Sequence, residues 1–413
     1  MSLLKKFINK GYFPKEVIPP FSTQDLSNNL DQIIDQIDDF SEKTSKTYNF
    51  SIPKKQNFRR LLGIPNPLHQ IKLSKLLSDN WNELKEFVDG SHISLSTPQI
   101  GDERAIDRNK DLSDIPFERA TNSIEARYML RTDISRYYST IYTHSISWAL
   151  HTKETAKKNR FSDDLIGNLI DTSVRNTTSG QTLGIPIGPD TSLLIAEIIG
   201  TAMDLKIKNR IEELKGFRYV DDYYLYFSSL SKAESALFKL HKIMKEFELE
   251  LNQNKTKIVE LPKPLEKKWV SELRQYSFRD NSKSQKRDLF NYFNKVFEYA
   301  NTFPNDYVIK YSVARIKYEE IAEENWELFE SLLLKATLKE PSVLSTTSTI
   351  LSKFKNKGYP LNLDKIKSTI NQIIIYSSKL DHSYEIAWSL WLCKVLQIEI
   401  DEKISKLLSK ITD

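Results

Sequence analysis

The 413-residue sequence predicts an α+β fold over roughly its first two thirds and an all-α fold over the rest. Two observations carry this. Between Tyr48 and Leu261, short apolar runs rich in β-branched and aromatic residues alternate with helical stretches and Gly/Pro turns. Beyond about Pro264 the strand signals fade, and apolar residues recur at helical spacing. The expected organisation is an N-terminal helical segment (1–49), an α+β domain (50–262) and an α-helical, repeat-like domain (263–413). The clearest boundary is the stretch from Pro262 to Pro264.

The elements follow in order. Ser27 to Asp39 reads as a helix, with Leu30, Ile33, Ile34 and Ile37 at helical spacing. Lys54 to Arg60 is basic with Phe58 inside it, and Leu61 to Ile64 then reads as a short strand ending in a proline turn. His69 to Leu77 is helical through Ile71, Leu73 and Leu76. Tyr128 to Ile134 reads as a buried strand carrying Asp133 at its end. One helix is expected after it, with Ile141, Ile146 and Ala149 on a face. Gly180 to Pro189 is a loop, and Asp190, Thr191 or Ser192 is the expected N-cap of an apolar helix from Leu193 to Met203. Phe217 to Phe227 reads as two strands around an Asp221-Asp222 turn. Lys232 to Glu248 is an amphipathic helix, and Leu251 to Leu261 holds a basic turn and a strand. Further helices are expected at Leu289–Tyr299, Trp326–Leu338, Asp364–Tyr376, Ser383–Gln397 and Glu402–Ile411.

Composition bounds the function without naming it. There are 60 basic and 55 acidic residues, a net charge of +5, which admits a nucleic-acid partner but does not require one. A single cysteine, Cys393, excludes a disulfide framework and a multi-thiolate zinc site, and reads as a buried helix residue. No apolar run approaches the ~20 residues that span a bilayer. The longest apolar stretch, Leu193 to Gly200, contains Glu197. The N-terminus is too short and polar for a signal peptide. A cytoplasmic protein with no membrane contact is expected.

Three elements stand out together. Asp133 ends a strand, Asp221 and Asp222 sit at a hairpin, and Gly184-Ile-Pro-Ile-Gly-Pro lies between them. The acidic sites are 221 − 133 = 88 residues apart, so only the fold brings them together. Nucleotidyl transfer needs such a set. Two divalent ions held by hard carboxylate oxygens activate a 3′-hydroxyl and neutralise the leaving pyrophosphate. Asp133 and Asp221 suit bridging ligands, with Asp222 secondary. Taken alone, an Asp-Asp pair in a turn more often only supports the turn; the three elements in this order favour the chemistry.

With these motifs the sequence resembles reverse transcriptases. Tyr219-Val-Asp-Asp resembles the family's metal-binding hairpin, and Asp133-Ile-Ser-Arg-Tyr-Tyr its first carboxylate motif. Leu251-Asn-Gln-Asn-Lys-Thr-Lys-Ile is similar to the later palm motif, and Arg59-Arg60-Leu-Leu-Gly-Ile-Pro to the fingers strand. The resemblance covers about residues 50 to 262. It implies a right-hand polymerase with fingers and palm, followed by the helical domain in the thumb position. It also implies RNA-directed DNA synthesis from dNTPs with two Mg²⁺ ions, or Mn²⁺, at Asp133, Ile134, Asp221 and Asp222.

A narrower likeness appears in Tyr142-Thr-His-Ser-Ile-Ser-Trp-Ala-Leu-His, in Gly184-Ile-Pro-Ile-Gly-Pro-Asp-Thr-Ser and in Glu385-Ile-Ala-Trp-Ser-Leu-Trp-Leu. These resemble the bacterial abortive-infection and defence-associated reverse transcriptases. That likeness implies antiphage defence, a non-coding RNA template, a DNA product, a homo-oligomer and a second protein from the same locus. One departure matters. The usual Pro-Gln-Gly of the template loop is Pro186-Ile187-Gly188, and isoleucine cannot hydrogen-bond a nucleotide.

By the same resemblance Tyr138 takes the steric-gate position that excludes a ribose 2′-hydroxyl, while Tyr137 packs inward. Arg59 and Arg60 are expected on the incoming triphosphate, with Gly188 allowing close backbone approach. Lys54, Lys55 and Pro186 are expected at the template. Lys255, ahead of Lys257, is expected to assist the departing pyrophosphate. His144 and His151 read as helix-face residues. Two rivals stay open. One is template-independent or protein-primed synthesis on the same fold; the other is a catalytically silent helical scaffold.

Overall fold

The computed structural model describes residues 1–34, 43–55 and 58–411. The chain divides into two compact units. The first comprises Met1–Lys15, Ser22–Asn49 and Leu62–Leu265; the second comprises Glu16–Phe21, Phe50–Leu61 and Glu266–Asp413. This differs from the expected 1–49, 50–262 and 263–413. The first 49 residues are not a segment of their own, and Phe50–Leu61 groups with the C-terminal helices. The reason is side-chain pairing. The Phe50 ring meets Tyr384 at 6.3 Å, and the Ser51 N–H donates to Ser383 Oγ at 3.2 Å. The Trp388 indole donates to the Glu16 carbonyl at 2.9 Å.

The expected α+β class holds in the first unit. Its strands are β1 (Tyr48–Pro53) and β2 (Arg59–Ile64), which continue into the second unit, then β3 (Pro98–Ile100) and β4 (Ile106–Arg108). The remaining four, β5 (Tyr128–Asp133), β6 (Lys215–Tyr219), β7 (Asp222–Phe227) and β8 (Lys257–Glu260), form one antiparallel sheet in the order β6-β7-β5-β8. The two central strands are buried nearly throughout, which suits their aromatic and aliphatic residues. On one face Leu130, Tyr223, Leu225 and Phe227 share a core with Ile198 and Ile199 of the Asp190–Arg210 helix and Leu240 of the Leu230–Glu246 helix. The opposite face carries Met129, Phe217, Tyr224 and Tyr226 in a smaller cluster.

Several elements differ from the sequence expectation. The helix expected after Asp133 is two short ones, Tyr137–Thr140 and Ser145–His151. Residues 141–143 are taken by the Gly-rich loop instead. The Gly184 N–H donates to the Ile141 carbonyl and the Thr143 N–H to the Thr182 carbonyl, both at 2.8 Å. The Ser27–Asp39 helix appears as Gln24–Asn28 and Leu30–Ile34, broken at Asn29. Ile37 and Asp39 lie outside the described residues. The helix expected from Leu193 runs from Asp190 to Arg210, and Pro189, not Asp190, Thr191 or Ser192, is its N-cap. The Asp190 carboxylate is buried and turned elsewhere. It accepts the N–H groups of Ala105 and Ile106 at 3.0 and 3.1 Å and pairs with Arg104.

Strand elements fade in the second unit beyond Phe50–Leu61, as expected. The five expected helices appear as Ser282–Thr302, Trp326–Lys339, Leu363–Ser377, Ser383–Leu396 and Glu402–Leu408. Lys268–Arg274, Val308–Arg315 and Leu344–Asn356 are additional. Leu344–Asn356 is rich in Ser and Thr, which weaken a helix. Burial of Leu344, Ile350, Leu351 and Phe354 overrides that weakness. Trp326, Phe354 and Tyr359 form the aromatic centre, with ring centroids 4.6–5.5 Å apart. Cys393 is buried in the same core. Among the described residues no helix is long and apolar enough to cross a membrane.

Candidate active site

The sheet delivers the carboxylates. β5 and β7 pair antiparallel with Asp133 directly opposite Asp222, so both side chains leave the same face. The Ile134 N–H donates to the Asp221 carbonyl at 3.1 Å, and the Asn252 N–H donates to the Asp133 carbonyl at 2.8 Å. Backbone bonds thus close the 88-residue gap. One detail corrects the expected turn. Tyr219 pairs with Asp222, so the turn residues are Val220 and Asp221, and Asp222 already belongs to β7. Val220 sits in the left-handed region at φ +57°.

Asp133 is only 2% exposed. One carboxylate oxygen, Oδ2, receives the Lys255 ammonium. The other, Oδ1, is buried and accepts no hydrogen bond from any described residue. Arg131 lies on the same face, over the Tyr224 ring at 5.1 Å. Burial, then the charges of Asp222 and Asp133, push the Asp221 carboxyl up to about 6. Burial also raises Asp222, against the pull of Arg131 and Lys255. Partial burial disfavours the Lys255 ammonium, but its bond to Asp133 and the nearby carboxylates outweigh this and raise its pKa.

These residues fit a divalent cation in kind. Hard oxygen donors cluster so that the charges of Asp133 and Asp222 raise the Asp221 carboxyl, and one buried oxygen has no partner. Among the described residues no three His, Cys, Asp or Glu side chains gather as a ready ligand group. The Lys255 ammonium is the counter-charge on Oδ2 of Asp133, and Oδ1 is left without a partner.

Tyr138 and the Gly-rich loop belong to the same unit. The Ile185 N–H donates to the Tyr138 carbonyl at 2.8 Å. Burial pushes the Tyr138 phenol up to about 12; Arg108 opposes this and the Asp221 charge adds to it. Tyr137 is buried and its hydroxyl donates to the Ala196 carbonyl at 2.7 Å. The Gly63 N–H donates to the Ile187 carbonyl at 2.8 Å, and a Cβ at Gly63 would stand 2.8 Å from Pro186 Cβ. Gly188 has φ +128°, and a Cβ there would strike Pro14 Cγ at 2.5 Å. Pro186 and Gly188 are therefore packed against the rest of their own unit. Lys257 faces Arg131 across β8 and is exposed. His144 holds Asp171 at 2.6 Å, and His151 accepts the Gly167 N–H at 3.1 Å, so both bind helix neighbours.

The basic residues of β2 and the β1–β2 turn fall in the second unit, and two of them are already engaged. The Arg59 guanidinium grips Glu385 through both terminal nitrogens, at 2.5 and 2.8 Å, and holds Ser51 as well. Lys55 pairs with Glu340 at 2.6 Å. Neither presents the free charge expected for a triphosphate or a template phosphate. Their carboxylate partners come from more than 280 residues away, beyond the reach of motif spacing. Arg60 and Lys54 are exposed and make no ion pair with any described residue.

The sequence reading overlooked Arg218. This side chain is fully buried and paired with Glu197 and Asp204. Two weak signals pointed to it. An arginine stands inside an apolar strand, and an acid stands inside an apolar helix.

The family model described as "Reverse transcriptase (RNA-dependent DNA polymerase)" matches residues 52–290. Among curated proteins, none matches. Similar solved structures include apo telomerase from Candida tropicalis truncated from its C-terminal domain, at 13% identity and a TM-score of 0.38. That match covers 59% of this chain and 56% of that one. The untruncated apo telomerase of Candida tropicalis shows 12% identity, covers 94% and 72%, and has a TM-score of 0.41. Telomerase from Candida albicans with a TWJ fragment of telomeric RNA shows 12% identity, covers 94% and 69%, and has a TM-score of 0.39. This chain thus spans just over half of the truncated telomerase. Matched by the family model over more than half its length, the chain belongs to the reverse transcriptase (RNA-dependent DNA polymerase) family.

Proposed function

We propose that this chain is an RNA-directed DNA polymerase that extends a 3′-hydroxyl with dNTPs. The observation that carries the reading is the register pairing of Asp133 with Asp222, with Asp221 in the adjoining turn, inside a reverse-transcriptase family match. Asp133, Asp221 and Asp222 would hold divalent ions, with Ile134 beside them. When bound, such ions lower the pKa of the attacking hydroxyl and neutralise charge on the transferring phosphate. The protein's own groups do the rest. Lys255 leaves Asp133 and offers its proton or charge to the departing pyrophosphate. Tyr138 stands as the steric gate against a ribose 2′-hydroxyl. Arg60 and Lys54, the exposed cations of β2 and the β1–β2 turn, remain candidates for phosphate contacts, whereas Arg59 and Lys55 must first release their carboxylates.

The narrower reading is antiphage defence with a non-coding RNA template and Mg²⁺, in the cytoplasm, as a homo-oligomer or with a second protein. It is supported by the Tyr142–His151 and Gly184–Ser192 motifs and by the helical second unit. One observation favours a second reading, DNA synthesis without a template. At the position of the usual template-loop glutamine, Ile187 offers no side-chain hydrogen bond, and its carbonyl is spent on Gly63.

The test is incorporation of labelled dNTPs with Mg²⁺ by protein purified with any bound RNA, beside the Asp221→Ala, Asp222→Ala double variant. Products complementary to a co-purified or added RNA support the proposal. Homopolymeric or random products that survive RNase favour the second reading. Wild-type silence in every condition, including lysate of phage-infected cells, favours a scaffold.

A further inference from the structure

The turn that carries Asp221 is strained. Val220 is β-branched, and its φ of +57° is a conformation that such residues rarely adopt. Strain of this kind persists only where the surroundings over-determine it. Both backbone polar groups of Val220 are held by side chains. Its N–H donates to Ser96 Oγ at 2.9 Å, and its carbonyl accepts from Arg218 Nη1 at 2.9 Å. Ser96 Oγ in turn donates to Glu197 Oε2 at 3.0 Å. Arg218 spends its remaining donors on two carboxylates of the Asp190–Arg210 helix. Nη1 and Nη2 reach Glu197 at 3.1 and 2.6 Å, and Nε and Nη2 reach Asp204 at 2.7–3.0 Å. The guanidinium lies flat on that helix because position 200 is glycine. A Cβ there would stand 2.7 Å from Arg218 Cζ.

We infer that Arg218, braced by Glu197 and Asp204 and aided by Ser96, is a positioning residue that holds Val220 left-handed and thereby presents Asp221 to a divalent ion. The clamp acts through one peptide unit. Without it, Val220 would relax to negative φ and swing the next residue, Asp221, away from its place beside Asp133 and Asp222. A lysine at 218 cannot replace the fork, because one ammonium cannot reach Glu197, Asp204 and the Val220 carbonyl together.

The inference rests on the metal-site reading of the three aspartates, and its test separates the two. Mn²⁺ binding is titrated by electron paramagnetic resonance on the full chain without nucleotide, and dNTP incorporation is measured afterwards. Arg218→Lys is the direct variant. Ser96→Ala and Gly200→Ala are the gentler ones, because they loosen the clamp without removing a buried charge; thermal melting checks their folding. Each is expected to weaken Mn²⁺ binding about 10-fold, the scale of one left-handed strained residue. Incorporation is expected to lose kcat while the KM for dNTP is kept. Adding Val220→Gly, which takes positive φ without strain, should restore Mn²⁺ affinity to within about 3-fold of wild type. A merely structural network would not be rescued this way. Wild-type Mn²⁺ affinity in Ser96→Ala and Gly200→Ala, or failure of Val220→Gly to restore it, overturns the inference. A wild-type chain that binds Mn²⁺ at the aspartates but incorporates no dNTP would sink the polymerase reading and leave the clamp standing.

Discussion

Asp133 and Asp222 face each other as register partners across β5 and β7, and the Asp133 carboxylate is already bound to Lys255. The lysine therefore occupies a carboxylate proposed here to hold a divalent ion. Replacing Lys255 by Met should raise the Mn²⁺ affinity of the nucleotide-free protein by ~3–10-fold. The same variant should slow dNTP incorporation by about 10²-fold, because the proposed acid on the leaving-group side is lost. Mn²⁺ titration and single-turnover kinetics on one preparation check both signs. Unchanged affinity would mean that Lys255 does not guard the site.

Asp221 carries the pH dependence. Its pKa in the folded chain stands near 6, against 3.8 as its ordinary value. A raised carboxyl pKa means that the folded state holds a proton which the unfolded state has lost. The contribution of Asp221 to the stability of the metal-free protein should therefore fall as pH rises from about 4 to 6 and level off above. Asp221→Asn should remove that fall and stabilise the metal-free protein at pH 7 by ~1–3 kcal/mol. Chemical denaturation at pH 4, 5, 6 and 7 checks it. Equal slopes for both proteins would contradict the raised pKa.

Arg59 distinguishes a structural from a substrate role. Its pair with Glu385 is largely buried, the side chains being 19% and 5% exposed. Arg59→Ala leaves Glu385 buried with only the His382 ring, at 3.7 Å, beside it, at a cost of ~3 kcal/mol. Glu385→Gln should lower stability in the same direction. A rise in the KM for dNTP without a change in melting temperature would return Arg59 to the triphosphate.

Tyr138 is the proposed gate. Tyr138→Ala should raise rNTP incorporation relative to dNTP by ~10–100-fold, the effect of removing one steric clash. Competitive incorporation assays read the ratio directly. Tyr137→Phe should leave that ratio unchanged and lower stability by ~1 kcal/mol, through loss of the hydrogen bond to Ala196.

Much of the fold was legible because its signals are local. β5, the β6–β7 hairpin and the five expected C-terminal helices follow from periodicity within windows of 5–20 residues. The turn was misjudged by one position because Asp-Asp has good turn chemistry, whereas the register pairs Tyr219 with Asp222. The break at Ile141 has no local trace because its cause is the loop at 182–184, where Thr182 and Gly184 bond Thr143 and Ile141 across 182 − 143 = 39 and 184 − 141 = 43 residues. Arg59 and Lys55 were read as free cations because their partners, Glu385 and Glu340, have no local trace.

The sequence by itself singled out three acids as candidates. A strand-terminal Asp133 and a Tyr219-Val-Asp-Asp hairpin are patterns of residue type and short spacing, and the chain needs no partner to display them. Tertiary structure alone decided three further matters. It set Asp133 opposite Asp222, it gave Lys255 and Glu385 their counter-charges, and it braced Val220 through Arg218. Each depends on strand register and on burial between segments far apart in the chain. A charge in an apolar strand reveals its partner only when folding removes both from water.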